Sequence, residues 1–269
     1  MSKISPFPLP SRPSVKVRFR APSVEDCIDF SDLRPELEES ATTDYLRQLL
    51  IGEDAPDPAL WTAADRVSAL WWIFVSITDD TGLIYTYQCP HCGQNHTATI
   101  DLVELDDRAV SLSGPAFVPG EIACNGKEHK AQFVPLDGLA MMALEEKRLE
   151  LAGASEADTK RIKAELKVLE VVHSFRLDEH KDMSPDAAAA ARLQMVRNMD
   201  AASEYRPLVA KCLLAASELR HGLECEISDG ELYLVSPPLY CEEHKEGEGA
   251  APATSLLMRF RHHHFIPEI

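Results

Sequence analysis

A chain of 269 residues, 45 % hydrophobic and 26 % charged, has the profile of a globular protein and is long enough to bury a core without covalent staples. Its formal charge of −17 opposes the phosphate backbone, so a nucleic-acid role would need a concentrated basic patch; the one candidate, KVRFR at Lys16–Arg20, reads more simply as a short strand. Seven cysteines are an odd number, no apolar run is long enough to span a membrane, and the first residues lack the apolar core of an export leader, so a disulfide framework is set aside and the cytosol, or a particle assembled there, is expected.

Four prolines in the first 14 residues predict an extended arm over 1–22 with no core of its own, either disordered or laid on a partner. A second region, 23–135, opens on helices. Ser23 with Asp26 signals a helix start in PSVEDCIDF, and TTDYLRQLLIG reads as a second helix closed by Gly52. Thr62 with Asp65 caps a third, whose Val67, Leu70, Trp71, Phe74 and Val75 share one face; the tryptophan pair reads as core. Strand-like residues follow in GLIYTYQC and TATIDLVEL, which places the intervening CPHCG at a hairpin tip. AVSLS, EIACN and HKAQFV read as further strands, the last two joined by an Asn125-Gly126 turn.

From 136 to 221 the pattern is helical. DGLAMMALEEKRLELAG is one helix. A longer one is capped by Ser155 and Asp158 and carries Ile162, Leu166, Leu169 and Val172 as its stripe. A third starts at Ser184-Pro185, and EYRPLVAKCLLAASEL is the fourth. His173 and His180 read as surface or satisfied core residues. The final region, 222–269, returns to strand with a hairpin around Asp229-Gly230 and ends in an aromatic segment containing His262–His264. The fold class expected is α+β, with zinc-ribbon-like β-hairpins from both ends of the chain and a helical middle.

Cys89 and Cys92 flank a tight turn, which aims two thiolates at one edge of a tetrahedron; a structural zinc site needs a second pair. Cys241 with His244 has matching spacing and is preferred. Cys124 with His129 is the rival, placed across a hairpin turn without a knuckle loop. The preferred set is Cys89, Cys92, Cys241 and His244, with everything between the half-sites as an insertion whose closure entropy grows only logarithmically with length. His91 and His96 read as exposed loop residues, Cys225 as a strand residue facing a small core, and Cys27 and Cys212 as buried thiols. Four protein ligands would close the site to water. No HExxH, GxSxG or glycine-rich phosphate loop is present, so no enzymatic activity is expected.

WTAADRVSALWWIFVSITDD, YQCPHCGQNHTATIDL, AQFVPLDGLAMM and the closing FRHHHFIP, in this order around a helical middle, resemble the baseplate hub and baseplate assembly proteins of contractile-tailed phages of the T-even type. The resemblance covers about two thirds of the chain, and its specific part is the CPxCG–IDL block. It implies a non-enzymatic baseplate or hub protein, working with other phage baseplate and tail proteins in a hetero-oligomeric assembly, with no nucleic acid and no membrane. Its place would be the host cytoplasm during assembly, or the virion. Carried onto this chain, the ribbon residues would be Cys89, Cys92, Cys241 and His244; His244 departs from the family's second CxxC. The alternative reading is a zinc-ribbon regulatory or nucleic-acid-binding module.

Overall fold

The computed structural model describes residues 4–30, 34–228, 231–243 and 252–259. Among these residues the elements are mixed α and β, and every strand pairing is antiparallel, in five small sheets of two or three strands.

The expected proline-rich arm is instead a hairpin, β1 (Phe7–Leu9) with β2 (Arg12–Val17). Its prolines sit in a two-stranded ribbon, where a missing N–H leaves no central ladder broken. The side chains between them alternate, so Phe7, Leu9 and Val17 all turn into the core. The Phe7 ring lies 5.7 Å from that of Trp72, whose Nε1 donates to the Ser5 carbonyl. Composition signalled a segment without a core; the alternation of apolar residues outweighs it.

Helix α1 (Val24–Asp29) opens with the expected Ser23–Asp26 capping box, and α3 (Ala63–Ile77) with the Thr62–Asp65 one. Between them, α2 (Glu38–Leu49) has no side-chain cap of its own. Helix α3 is buried on more than one face: beside Val67, Leu70, Trp71 and Phe74, the polar Asp65, Arg66 and Ser68 are also inside. Trp71 donates its Nε1–H to the Leu102 carbonyl at 2.7 Å. This helix is the axle of the largest core, which runs from Ile4 to Met258 in sequence.

After α3 come β3 (Gly82–Gln88) and β4 (Asn95–Asp101), a hairpin in strict register from Gly82↔Asp101 to Gln88↔Asn95. A 3-10 segment, Leu102–Arg108, leads on. AVSLS is not a strand; Val110 makes only an isolated bridge to Gly222. Strands β5 (Val118–Cys124) and β6 (Lys127–Phe133) turn at Asn125-Gly126, both at positive φ, as the hairpin signal requires.

Helices α4 (Gly138–Leu149), α5 (Glu156–His173), α6 (Pro185–Arg197) and α7 (Arg206–Glu218) follow, the last preceded by a π turn at Ala201–Tyr205. The region is not wholly helical. β7 (Phe175–Leu177) interrupts it and pairs with β6, which makes a three-stranded sheet backed by α5, α6 and α7. Helices α4 and α5 form a third cluster against Ala63 at the start of α3.

The chain then returns to the first core. β8 (Cys225–Ser228) and β9 (Glu231–Val235) pair with Ser228 opposite Glu231, and β12 (Leu257–Met258) adds to β9. Between them β10 (Leu239–Tyr240) and β11 (Ala253–Thr254) form a two-residue ladder. Leu234 and Met258 are buried beside residues of the N-terminal hairpin and α3. Segments from both ends of the sequence therefore meet. Among the described residues no helix is long and apolar enough to cross a membrane.

Candidate metal centre

The turn joining β3 to β4 is closed by two backbone bonds. Cys89 N–H donates to the Gln94 carbonyl at 2.8 Å, and Gly93 N–H to the Cys89 carbonyl at 2.9 Å. Gly93 has φ +74°, a conformation glycine adopts freely. The loop holds the Cys89 and Cys92 side chains on one side. Facing them is Cys241, which follows β10 and whose N–H donates to the Pro252 carbonyl at 3.0 Å.

The fourth group comes from β4. Strand β4 alternates, with His96 and Ile100 buried and Asn95, Thr97, Thr99 and Asp101 exposed. His96 is therefore an inward strand residue, not the exposed loop residue expected. Its Nε2 lies 3.1 Å from Cys92 Sγ. Opposite it on β3 is Tyr87, with ring centroids 5.9 Å apart. One donor atom each from Cys89, Cys92, His96 and Cys241 lies within 4.8 Å of all the others, and the first, third and fourth residues are buried. A tetrahedral ion with metal–sulfur bonds of about 2.3 Å sets neighbouring donors about 3.8 Å apart, so this span fits one ion.

The electrostatics suit a cation. The Cys92 backbone N–H is the largest influence on the Cys89 thiol and brings it down to about 6; burial opposes it, and the His91 N–H and the other two thiols add to it. The site therefore holds thiolate character at neutral pH, the form that binds metal. Burial pushes the Cys241 thiol up. The Cys92 sulfur raises His96, burial opposes, and Glu242 adds to the rise. Three thiols and an imidazole converging in this way can hold one metal ion with four protein ligands.

Three of the four sequence-chosen residues, Cys89, Cys92 and Cys241, are brought together here. His244 lies outside the described residues, as do His262–His264. Cys124 is buried at the end of β5, and His129 is two pairs further along β6, where its Nδ1 bonds Glu179 at 3.0 Å; neither joins the cluster. His91 is exposed, as expected. Cys225 lies on β8 against the large core, and its thiol donates to the Leu223 carbonyl. Cys27 and Cys212 are buried, and burial pushes both thiols up. The signal that identifies His96 was present in the sequence: His96, Ala98, Ile100 and Leu102 alternate with polar residues and extend the inward face of β4 to the knuckle.

Set against family models, curated proteins and solved structures, the chain matches none.

Proposed function

We propose that this is a non-enzymatic structural or assembly protein, stabilised by a structural zinc ion on Cys89, Cys92, His96 and Cys241. The observation that carries this reading is the convergence of those four donors from hairpins far apart in sequence. Thiolates with imidazole are the ordinary ligand set of tetrahedral zinc. Four protein ligands leave no position for a water, so the ion ties hairpins together and activates nothing. The meeting of a knuckle hairpin with a second short hairpin supports the zinc-ribbon-like description.

Among non-enzymatic roles, the CPHCG–IDL block and the order of its flanking segments favour a baseplate or hub assembly protein of a contractile phage tail. Its partners would be other tail proteins in a hetero-oligomeric assembly. The charge of −17 weighs against the nucleic-acid-binding alternative.

Metal content by mass spectrometry on untagged protein tests the site. One zinc per chain is expected in the wild type and in Cys124→Ser, and its loss in Cys89→Ser, His96→Ala and Cys241→Ser. A metal-free wild type overturns the reading. Co-expression with tail proteins tests the role. A stable complex is expected, and an inert monomer with no partner among them removes the baseplate assignment.

A further inference from the structure

His96 presents two nitrogens to two different neighbours. Nε2 faces the thiols, 3.1 Å from Cys92 Sγ, and Nδ1 lies 3.3 Å from Glu242 Oε2. The imidazole is 5 % exposed and the carboxylate 69 % exposed, so Glu242 reaches in from the surface to the buried ring. Glu242 follows Cys241 directly in sequence. A neutral imidazole carries one proton on one nitrogen, and a carboxylate can only accept. A carboxylate at Nδ1 therefore holds the proton there and leaves the Nε2 lone pair free, aimed at the sulfurs. It also fixes the ring plane and makes the ligating nitrogen more basic.

We infer that Glu242 is the positioning residue of the metal centre: it sets the tautomer and orientation of His96 for ligation through Nε2. This inference rests on the zinc reading above and deepens it. One short stretch after β10 then supplies a ligand, Cys241, and the group that orients a second ligand on another hairpin. Among the described residues, the C-terminal segment thus supplies one ligand and orients a second. The Tyr87 ring, its centroid 5.9 Å from that of His96 and tilted 42° to it, is a second neighbour of the imidazole.

The test compares the full-length wild type with Glu242→Ala and Glu242→Asp, stripped and reloaded with zinc alone. Zinc affinity is measured by competition with a chromophoric chelator, and the His96 tautomer by nitrogen-15 NMR of the loaded protein. Loss of an outer carboxylate partner weakens metal binding by about 10–100-fold. Glu242→Ala is expected to fall in that range while still taking up one zinc at saturation, and to lose the single Nδ1–H signature of the wild type. Glu242→Asp is expected to recover affinity and tautomer in part. The side chain is mostly in water, so the fold is expected to survive, which circular dichroism checks. Wild-type affinity and an unchanged tautomer in Glu242→Ala overturn the inference while leaving the zinc site standing. A wild type that takes up no zinc overturns the zinc site itself, and the inference with it.

Discussion

Glu145 belongs to α4 but caps α2. Its carboxylate, nearly excluded from solvent, accepts from the backbone N–H groups of Glu39 and Ser40 at 2.6 and 3.1 Å and from the Ser40 hydroxyl at 2.7 Å. These are donors that a helix start leaves without partners, and α2 has no residue of its own to satisfy them. Glu145→Ala is expected to destabilise the fold by about 1–3 kcal/mol, read as a lower denaturation midpoint in urea, because it strands partly buried donors. A midpoint equal to wild type would mean water replaces the carboxylate. Asp26 makes a comparable prediction in pH. The Arg20 guanidinium chiefly, with Ser23 and Gln48, holds its carboxyl far below the usual range. With the folded value depressed, this group's stabilisation is complete above the unfolded value of about 3.9 and is lost as pH falls from there toward the folded value. Acid denaturation followed by tryptophan fluorescence should show that loss in wild type and a shallower slope below pH ~4 in Asp26→Asn. Neither interaction is legible in the sequence in full. The Ser23–Asp26 pair is local and readable, but Arg20, Gln48 and Glu145 enter through tertiary packing. His96 is the instructive residue. Its neighbours His91 and Cys92 mark a loop, and only the period-two pattern running on to Leu102 separates it from them.

At the scale of elements, local chemistry was the reliable part of the sequence. Ser23, Thr62, Ser155 and Ser184 each cap the helix they were expected to open, and Asn125-Gly126 makes its hairpin. The failures have one cause. Segments 7–17, 109–113 and 175–177 are short, and what they become depends on their neighbours. Phe7 and Leu9 form a strand because α3 offers a surface. Phe175–Leu177 forms one because the edge of β6 is open to it. Residues near Val110 stay irregular because their backbone bonds go to scattered partners: Val110 exchanges two with Gly222, at 3.0 and 2.7 Å, and the Leu112 N–H donates to the Pro10 carbonyl at 2.9 Å. That glycine has φ +71°, and a Cβ there would stand 2.6 Å from Ser68 Oγ and 3.0 Å from the Ala64 carbonyl oxygen. Gly222→Ala therefore combines an unfavourable backbone conformation with a clash against the α3 backbone. A loss of about 1–3 kcal/mol is expected from the backbone term, with more from the clash. Thermal unfolding checks it. Gly153→Ala, at a similar φ of +78° but with open space around its Cβ, isolates the first term.

For the whole molecule, the question is what keeps the C-terminal segment in place. β10 and β11 share two residue pairs, and β12 adds two more to β9. Ladders this short are not stable alone. Met258 is buried in the core and Leu239 packs against it, while Cys241 and the contact of Glu242 with His96 tie the same segment to the knuckle. Under the zinc reading, the ion binds only when the knuckle and this segment are together, so its binding energy becomes folding energy of that region. Zinc held at 1,000 times its dissociation constant would add about 4 kcal/mol to the stability of the unit that must open to release it. The sheet of β5, β6 and β7 has its own core of α5, α6 and α7 side chains and none of the four ligands. Stripping zinc with a chelator is therefore expected to act unevenly. Amide hydrogen exchange should speed up at 87–96, 239–241 and 253–258 and stay unchanged in β5, β6 and α5. Uniform loss of protection would mean the ion stabilises the fold globally. Unchanged exchange at 239–241 would mean that packing around Leu239 and Met258, and not the ion, holds the segment against the knuckle.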